Sequence, residues 1–182
     1  MKINDYFGDY LKALNEKISN VDNDQLAAAA ALIVDTSEKL GNIYILGNGG
    51  SASIASHASI DFTKYVGINA LTFSDSSLLT CFANDFGYEH AFEKAIEFYA
   101  KPGDLLILIS SSGESENIIN SALKAREIGL NIITFSGFSS NNRLRALGDE
   151  NFWVESKTYN FVENVHQVWL LSLVDFLKKT EF

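Results

Sequence analysis

The chain has 182 residues, of which 47% are hydrophobic and 20% charged, the profile of a globular protein able to bury a sizeable core. Its formal net charge of −9 argues against a nucleic-acid partner, because neutralising a phosphate backbone takes an excess of Lys and Arg. A site for one small anion stays open, since backbone N–H groups bind phosphate without net positive charge.

No apolar run is long enough to span a bilayer, so no membrane partner is expected. The start MKINDYFGDY is amphipathic and acidic, unlike a signal peptide. The single Cys81 forbids an intramolecular disulfide. Its flanks, LLT and FAND, place it at a buried helix position. The expected location is the cytoplasm.

Phe7, Leu11, Leu14 and Ile18 repeat at helical spacing. NVDND breaks the chain, with Asp24 as candidate N-cap of a second helix, QLAAAAALIVDTSEKL, which Gly41 closes. A short buried strand is expected over 42–46, a helix over 52–66 and a second strand over 69–74. Then come a helix in SSLLTCFANDFG, an amphipathic helix over 88–100, and a break at KPG, which holds the only proline. The third strand is 104–110, followed by a helix over 115–129. The fourth strand is 131–137, followed by a short helix in SNNRLRALG. An edge strand over 151–156 and a helix over 159–179 end the chain.

Strands alternate with helices, and the central strands are continuously apolar. That pattern predicts an α/β fold: a three-layer α/β/α sandwich around a five-stranded parallel sheet, flavodoxin-like, preceded by N-terminal helices. With no linker or repeat, residues 1–182 read as one domain: helices over 1–40 and the sandwich over 41–182. The leading helices carry enough apolar surface to pack on the domain or on another subunit.

Two strand ends run into loops rich in glycine and serine. IYIL leads to GNGGSAS, and LLILI leads to SSSGESEN. Ligands of open α/β sheets sit at the C-terminal ends of strands. Each loop also opens a helix, whose free N–H groups and dipole favour an anion. In SSSGES, Gly113 permits tight curvature, and Ser110, Ser111, Ser112 and Ser115 offer hydroxyl donors. There is no lysine of the GxxxxGK[ST] type, so a phosphomonoester such as a sugar phosphate suits the loop better than a nucleotide. GNGGSA does not complete GxGxxG either, since Ala52 stands at the last glycine position.

These motifs resemble the SIS (sugar isomerase) domain family, in its phosphoheptose isomerase branch. The resemblance rests on GNGGSASIASHASIDF, CFANDFGYEHAF, KPGDLLILISSSGESENII, ALKAREIGLNIITFSG and VENVHQVWLLSLVD. It implies an aldose–ketose isomerase acting on sedoheptulose 7-phosphate or a related sugar phosphate, serving heptose synthesis for lipopolysaccharide or capsule. By position, Ser51, Ser110, Ser111, Ser112 and Ser115 would bind the phosphate, and Asn48 and Asp85 would hold sugar hydroxyls. A homotetramer with sites at subunit boundaries is implied as well.

The resemblance also marks departures. The helix after GNGGS carries His57 as expected, but Asp61 stands where a Glu is the rule; the two share a helix face at four-residue spacing. On the last helix, Leu171 occupies the position of the expected catalytic histidine. His166 lies five residues earlier, about 140° around a helix, and shares a face with Glu163. Asp61 is therefore the candidate base, with Glu163 or His166 the candidate acid. No cofactor is expected to be required. If zinc were bound, His57, Asp61 and Glu163 would be its ligands. The alternative is a non-catalytic phosphosugar sensor or protein-binding scaffold. His90 is expected to be solvated or at an interface, and Trp153 and Trp169 to pack.

Overall fold

The runs NIYIL, DLLILIS and NIITFSG become the three central strands of a five-stranded sheet. The computed structural model describes residues 3–180; Met1, Lys2, Glu181 and Phe182 lie outside the described residues. The strands are β1 (Ile43–Gly47), β2 (Ala70–Leu71), β3 (Leu105–Ser110), β4 (Asn131–Ser136) and β5 (Glu150–Trp153). They pair in the order β2-β1-β3-β4-β5, and each neighbouring pair is parallel.

Seven α-helices flank the sheet among the described residues: α1 (Ile3–Ser19), α2 (Asn23–Glu38), α3 (Gly50–Asp61), α4 (Ser76–Phe86), α5 (Ala91–Tyr99), α6 (Glu116–Ile128) and α7 (Tyr159–Thr180). Strand residues alternate between two cores, as the two-residue period demands. Ile43, Ile45, Leu105, Ile107, Ile109, Ile133 and Phe135 face α2, α3 and α7. Tyr44, Leu46, Leu106, Leu108 and Ile132 face the layer built from α5 and α6, with α4 at its margin. Both faces are covered, so the strands read as unbroken apolar runs.

The edges differ most from expectation. β2 keeps two residues and β5 four, because an edge strand has a ladder partner on one side only. The helix expected to reach Val66 ends at Asp61 and continues as a π-helical turn, Phe62–Val66, stopped by Gly67 at φ 81. The cap of α2 is Asp22, not Asp24: its side chain accepts from the Asp24 backbone N–H. The segment SNNRLRALG makes only a 3-10 turn at Leu144–Ala146.

Cys81 is exposed. Leu78, Leu79 and Phe82 take the inward side of α4 and leave Cys81 outside. His90 does have a partner, Glu93, 2.6 Å from its Nδ1. Both tryptophans pack as expected. Trp169 is buried and its indole N–H donates to the Ile18 carbonyl at 2.8 Å, fastening α1 to α7. Arg145 lies over the Trp153 ring.

His166 is fully buried in the first half of α7. Its Nε2 is 2.9 Å from the Ser136 carbonyl, and its ring meets Phe135 edge-on. Burial pushes the imidazole down from 6.5 to about 4, with the Ser136 hydrogen bond acting the other way. The folded value lies below the unfolded one, so the unfolded chain binds the proton first as pH falls. The stability held by the neutral ring is complete above 6.5 and is lost as pH falls from 6.5 to about 4. The loss is about 3 kcal/mol at ~1.4 kcal/mol per unit. Urea midpoints should therefore fall across that window, and His166→Phe should flatten the fall; an unchanged acid profile in the variant would refute this role.

Candidate active site

β1 and β3 are neighbours, yet the chain leaves them toward opposite faces of the sheet. The loop after β1 enters α3 on one side, and the loop after β3 enters α6 on the other. A crevice opens between them, at the point where strand order reverses. It holds a cavity of about 180 Å³ lined by Asn48, Ser51, Ser110, Ser111, Ser112 and Ser115, with Ile109 below and Tyr159 and Glu163 across the mouth. Six of the seven residues expected to hold phosphate and sugar are thus gathered. The seventh, Asp85, is on α4 outside this lining, where it accepts from the Asn84 side-chain amide at 2.9 Å.

The two loops are joined directly. Asn48 donates to Asn117 and Asn117 donates back to Asn48, both at 2.9 Å. Tyr88 adds a hydroxyl donor to the Asn48 carbonyl oxygen at 2.7 Å. Asn117 in turn is held by its place in the first turn of α6. Neither Asn117 nor Tyr88 stood out in the sequence, because an amide pair 69 residues apart leaves no local signal.

The cavity is built for an anion and has no cation in its lining. Asp22 and Asp75 cap α2 and α4 with their side chains, whereas α3 and α6 begin with no side-chain cap. The two helices that open at the crevice thus keep free N–H groups and positive dipole ends for a ligand. Ser111 Oγ is buried and has no hydrogen-bond partner among the described residues. A buried unpaired hydroxyl costs roughly 1–3 kcal/mol, a cost that a phosphate oxygen accepting from it removes. Arg143 lies close by but is spent: it pairs with Glu116, holding that carboxyl below its usual range, and its backbone N–H donates to Glu114.

Two glycines keep the geometry. At Gly113, φ is +68 and an added Cβ would collide with Asn142. Asn142 is buried and bonds Ser136 Oγ, the Gly137 carbonyl and the Arg145 N–H within the β4–β5 connection, and the Leu144 N–H of that connection donates to the Gly113 carbonyl of the serine loop at 3.0 Å. At Gly50, an added Cβ would stand 2.5 Å from Glu163 Oε2. The missing side chain lets the Glu163 carboxylate lie against the first turn of α3.

Glu163 also borders a second cleft of about 310 Å³, walled by Ser53, Ile54, His57, Asn164 and Gln167. There His57 Nε2 is 3.2 Å from Asp61 Oδ2, and Gln167 Nε2 is 3.3 Å from His57 Nδ1. Among the described residues, Gln167 is the polar contact from α7 to His57 that the sequence did not suggest. The stripe of α7 that meets α3 is Glu163, Gln167 and Leu171, spaced by four. Leu171 packs against the core.

The expectation that His166 joins Glu163 at one site is corrected by this packing. Three residues of helix turn through about 300°, enough to put Glu163 at the cavity and His166 in the core beneath Ser136. His166 cannot exchange protons with a ligand from there. The zinc set does not assemble either. Among the described residues, no three of His, Cys, Asp and Glu gather closely enough to hold a metal ion. His57 Nε2 faces Asp61 and Nδ1 faces Gln167.

These features define a doubly wound α/β protein with a serine-lined cavity at its switch point. The SIS domain pattern matches residues 6–137, and the chain belongs to the SIS domain family. It is 33% identical to the phosphoheptose isomerase of Histophilus somni over 93% of this chain and 88% of that one. It is 31% identical to that of Helicobacter pylori strain P12, over 92% and 90%. The structure of phosphoheptose isomerase from Neisseria gonorrhoeae superposes with a TM-score of 0.86 at 25% identity, covering 97% of both chains.

Gly113→Ala should cost at least about 2 kcal/mol, from the left-handed backbone and the clash with Asn142. The urea midpoint should fall, and stabilisation by added inorganic phosphate should vanish with it. A variant that keeps the wild-type midpoint would show that the loop does not need glycine there.

Proposed function

We propose that the chain interconverts an aldose phosphate and its ketose isomer, with sedoheptulose 7-phosphate as the ketose. One observation carries this reading: Glu163 lines both the serine cradle and the His57 cleft, so a phosphate bound in the first continues into a proton-handling site in the second. α3 serves as the ruler between them. At ~1.5 Å of rise per residue, roughly 9 Å of axis separate Ser51 from His57 and roughly 15 Å separate it from Asp61. A sugar phosphate of several carbons spans that path, and the names of the similar enzymes support the seven-carbon one.

The reaction moves two protons. Asp61 takes the C2 proton of the open-chain aldose while Glu163, in its acid form, protonates O1. The resulting enediol gives its O2 proton back to Glu163 as Asp61 delivers its proton to C1. Both carboxyl groups end as they began. Ser51, Ser110, Ser111, Ser112 and Ser115 hold the phosphate, and Asn48, steadied by Asn117 and Tyr88, faces the sugar.

A homotetramer supplying heptose for surface polysaccharide completes the proposal. Its support is the family resemblance and the apolar face of α1, where Ile3, Phe7 and Leu11 are 74%, 59% and 63% exposed.

The test is to incubate the protein with sedoheptulose 7-phosphate in heavy water and follow the sugar protons by NMR. The aldose should appear, with deuterium entering at C1. Asp61→Asn should abolish both changes and keep ligand binding. Ser111→Ala should weaken binding about 10- to 100-fold, the range for one hydrogen bond to a charged group at ~1.5–3 kcal/mol. Saturable binding without isomerisation by the wild type would overturn the enzymatic reading in favour of a sugar-phosphate sensor.

A further inference from the structure

We infer that Gln167 is a positioning residue: its amide fixes the tautomer of His57 and thereby aims the Asp61 carboxylate. The role of Asp61 as base rests on the isomerase reading above; the hydrogen-bond order does not.

The three side chains form a chain of contacts from α7 to the end of α3. Gln167 Nε2 is 3.3 Å from His57 Nδ1, and His57 Nε2 is 3.2 Å from Asp61 Oδ2. An amide nitrogen only donates. Nδ1 must therefore accept, the ring proton sits on Nε2, and that N–H donates to Asp61. Turning the amide over would demand a proton on Nδ1 and leave the Nε2 lone pair facing a carboxylate, which is repulsive for a neutral ring. Only one neutral arrangement satisfies all three groups, with donation running Gln167 to His57 to Asp61.

The setting makes the amide necessary. The neighbouring member of the α7 stripe, Leu171, is apolar and packs on the core. The next polar group on that stripe, Glu163, is turned toward Gly50. A carboxylate facing Nδ1 would compete with Asp61 for the ring proton. His57 is about half exposed, with 49% of its side chain accessible, against 20% for Asp61. Left to itself, such a ring would sample both tautomers and several rotamers. Gripped at both nitrogens, it holds Oδ2 of Asp61 and leaves Oδ1, which has no hydrogen bond among the described residues, for the substrate proton. The same grip commits the donor atoms that a metal ion would need.

The experiment uses the whole chain labelled with ¹⁵N-histidine, at about pH 8, above the ordinary imidazole range. Of the three histidines, His57 is assigned by the signal lost in His57→Asn. Long-range proton–nitrogen spectra should show His57 with its proton on Nε2. Gln167→Met, of similar shape but unable to donate, and Gln167→Leu should each give a mixture of tautomers. Both variants should lower kcat about tenfold, one hydrogen bond's worth, with KM within about twofold.

A wild-type His57 that is already a tautomer mixture, or a Gln167→Met protein that keeps the proton wholly on Nε2, overturns the inference whatever the activity. An unchanged kcat beside the shifted tautomer also overturns it. If the tautomers behave as stated but the wild type isomerises no sugar phosphate, the isomerase reading falls and the hydrogen-bond order stands.

Discussion

The reciprocal amide pair between Asn48 and Asn117 is the contact on which the site depends. β1 and β3 deliver their loops to the same edge of the sheet but send the following helices to opposite faces. Without a tie, the two loops would be held only by strands that end beneath them. The amide pair spans the gap, satisfies two donors and two acceptors at once, and fixes how far apart the starts of α3 and α6 stand. Cradle width, and so the size of anion accepted, follows from that distance.

What fills the gap is set by electrostatics of the backbone rather than of side chains. The chain caps α2 and α4 with aspartate. At the crevice it withholds caps and surrounds the two helix ends with serine hydroxyls, one of them buried without a partner. A cation is not needed because two dipole ends and several neutral donors share the charge. This explains how a protein of net charge −9 can hold a phosphate. It also explains why a triphosphate is a poor match, since nothing in the lining offsets further negative charge. The carboxylate of Glu163 fits beside the cradle only because Gly50 gives up its side chain.

Much of this was legible in the sequence, for reasons of range. The central strands are buried on both faces, so their composition alone declares them. The cradle is legible because serines 110–112 and 115, Gly113 and the helix start lie within a few consecutive residues. Legibility fails where the cause is distant. Asn117 and Gln167 act on partners 69 and 110 positions away, and nothing near them announces it. It fails again for Cys81, which sits among apolar neighbours that bury themselves and leave it out. Asp24 looked like a cap, but Asp22 is placed two residues earlier with the extended backbone that a cap requires.

His166 shows the limit of face-counting on a helix. Three residues from Glu163 is near enough to be called the same side, yet the 60° between them is the difference between a cavity wall and the core. The ring then serves Ser136 and Phe135, and α7 brings Glu163, Asn164 and Gln167 as polar groups to the cleft along α3. With leucine at 171, no side chain of α7 beyond Gln167 can move a proton there. In the proposed isomerase, acid–base chemistry in the crevice falls to two carboxylates, Asp61 and Glu163, with His57 orienting the first. On that proposal the tasks also separate by helix: the α3 carboxylate would handle carbon-bound protons and the α7 carboxylate those on oxygen. A substrate lying along α3 meets them in that order only if its phosphate is first seated between the two uncapped helix ends.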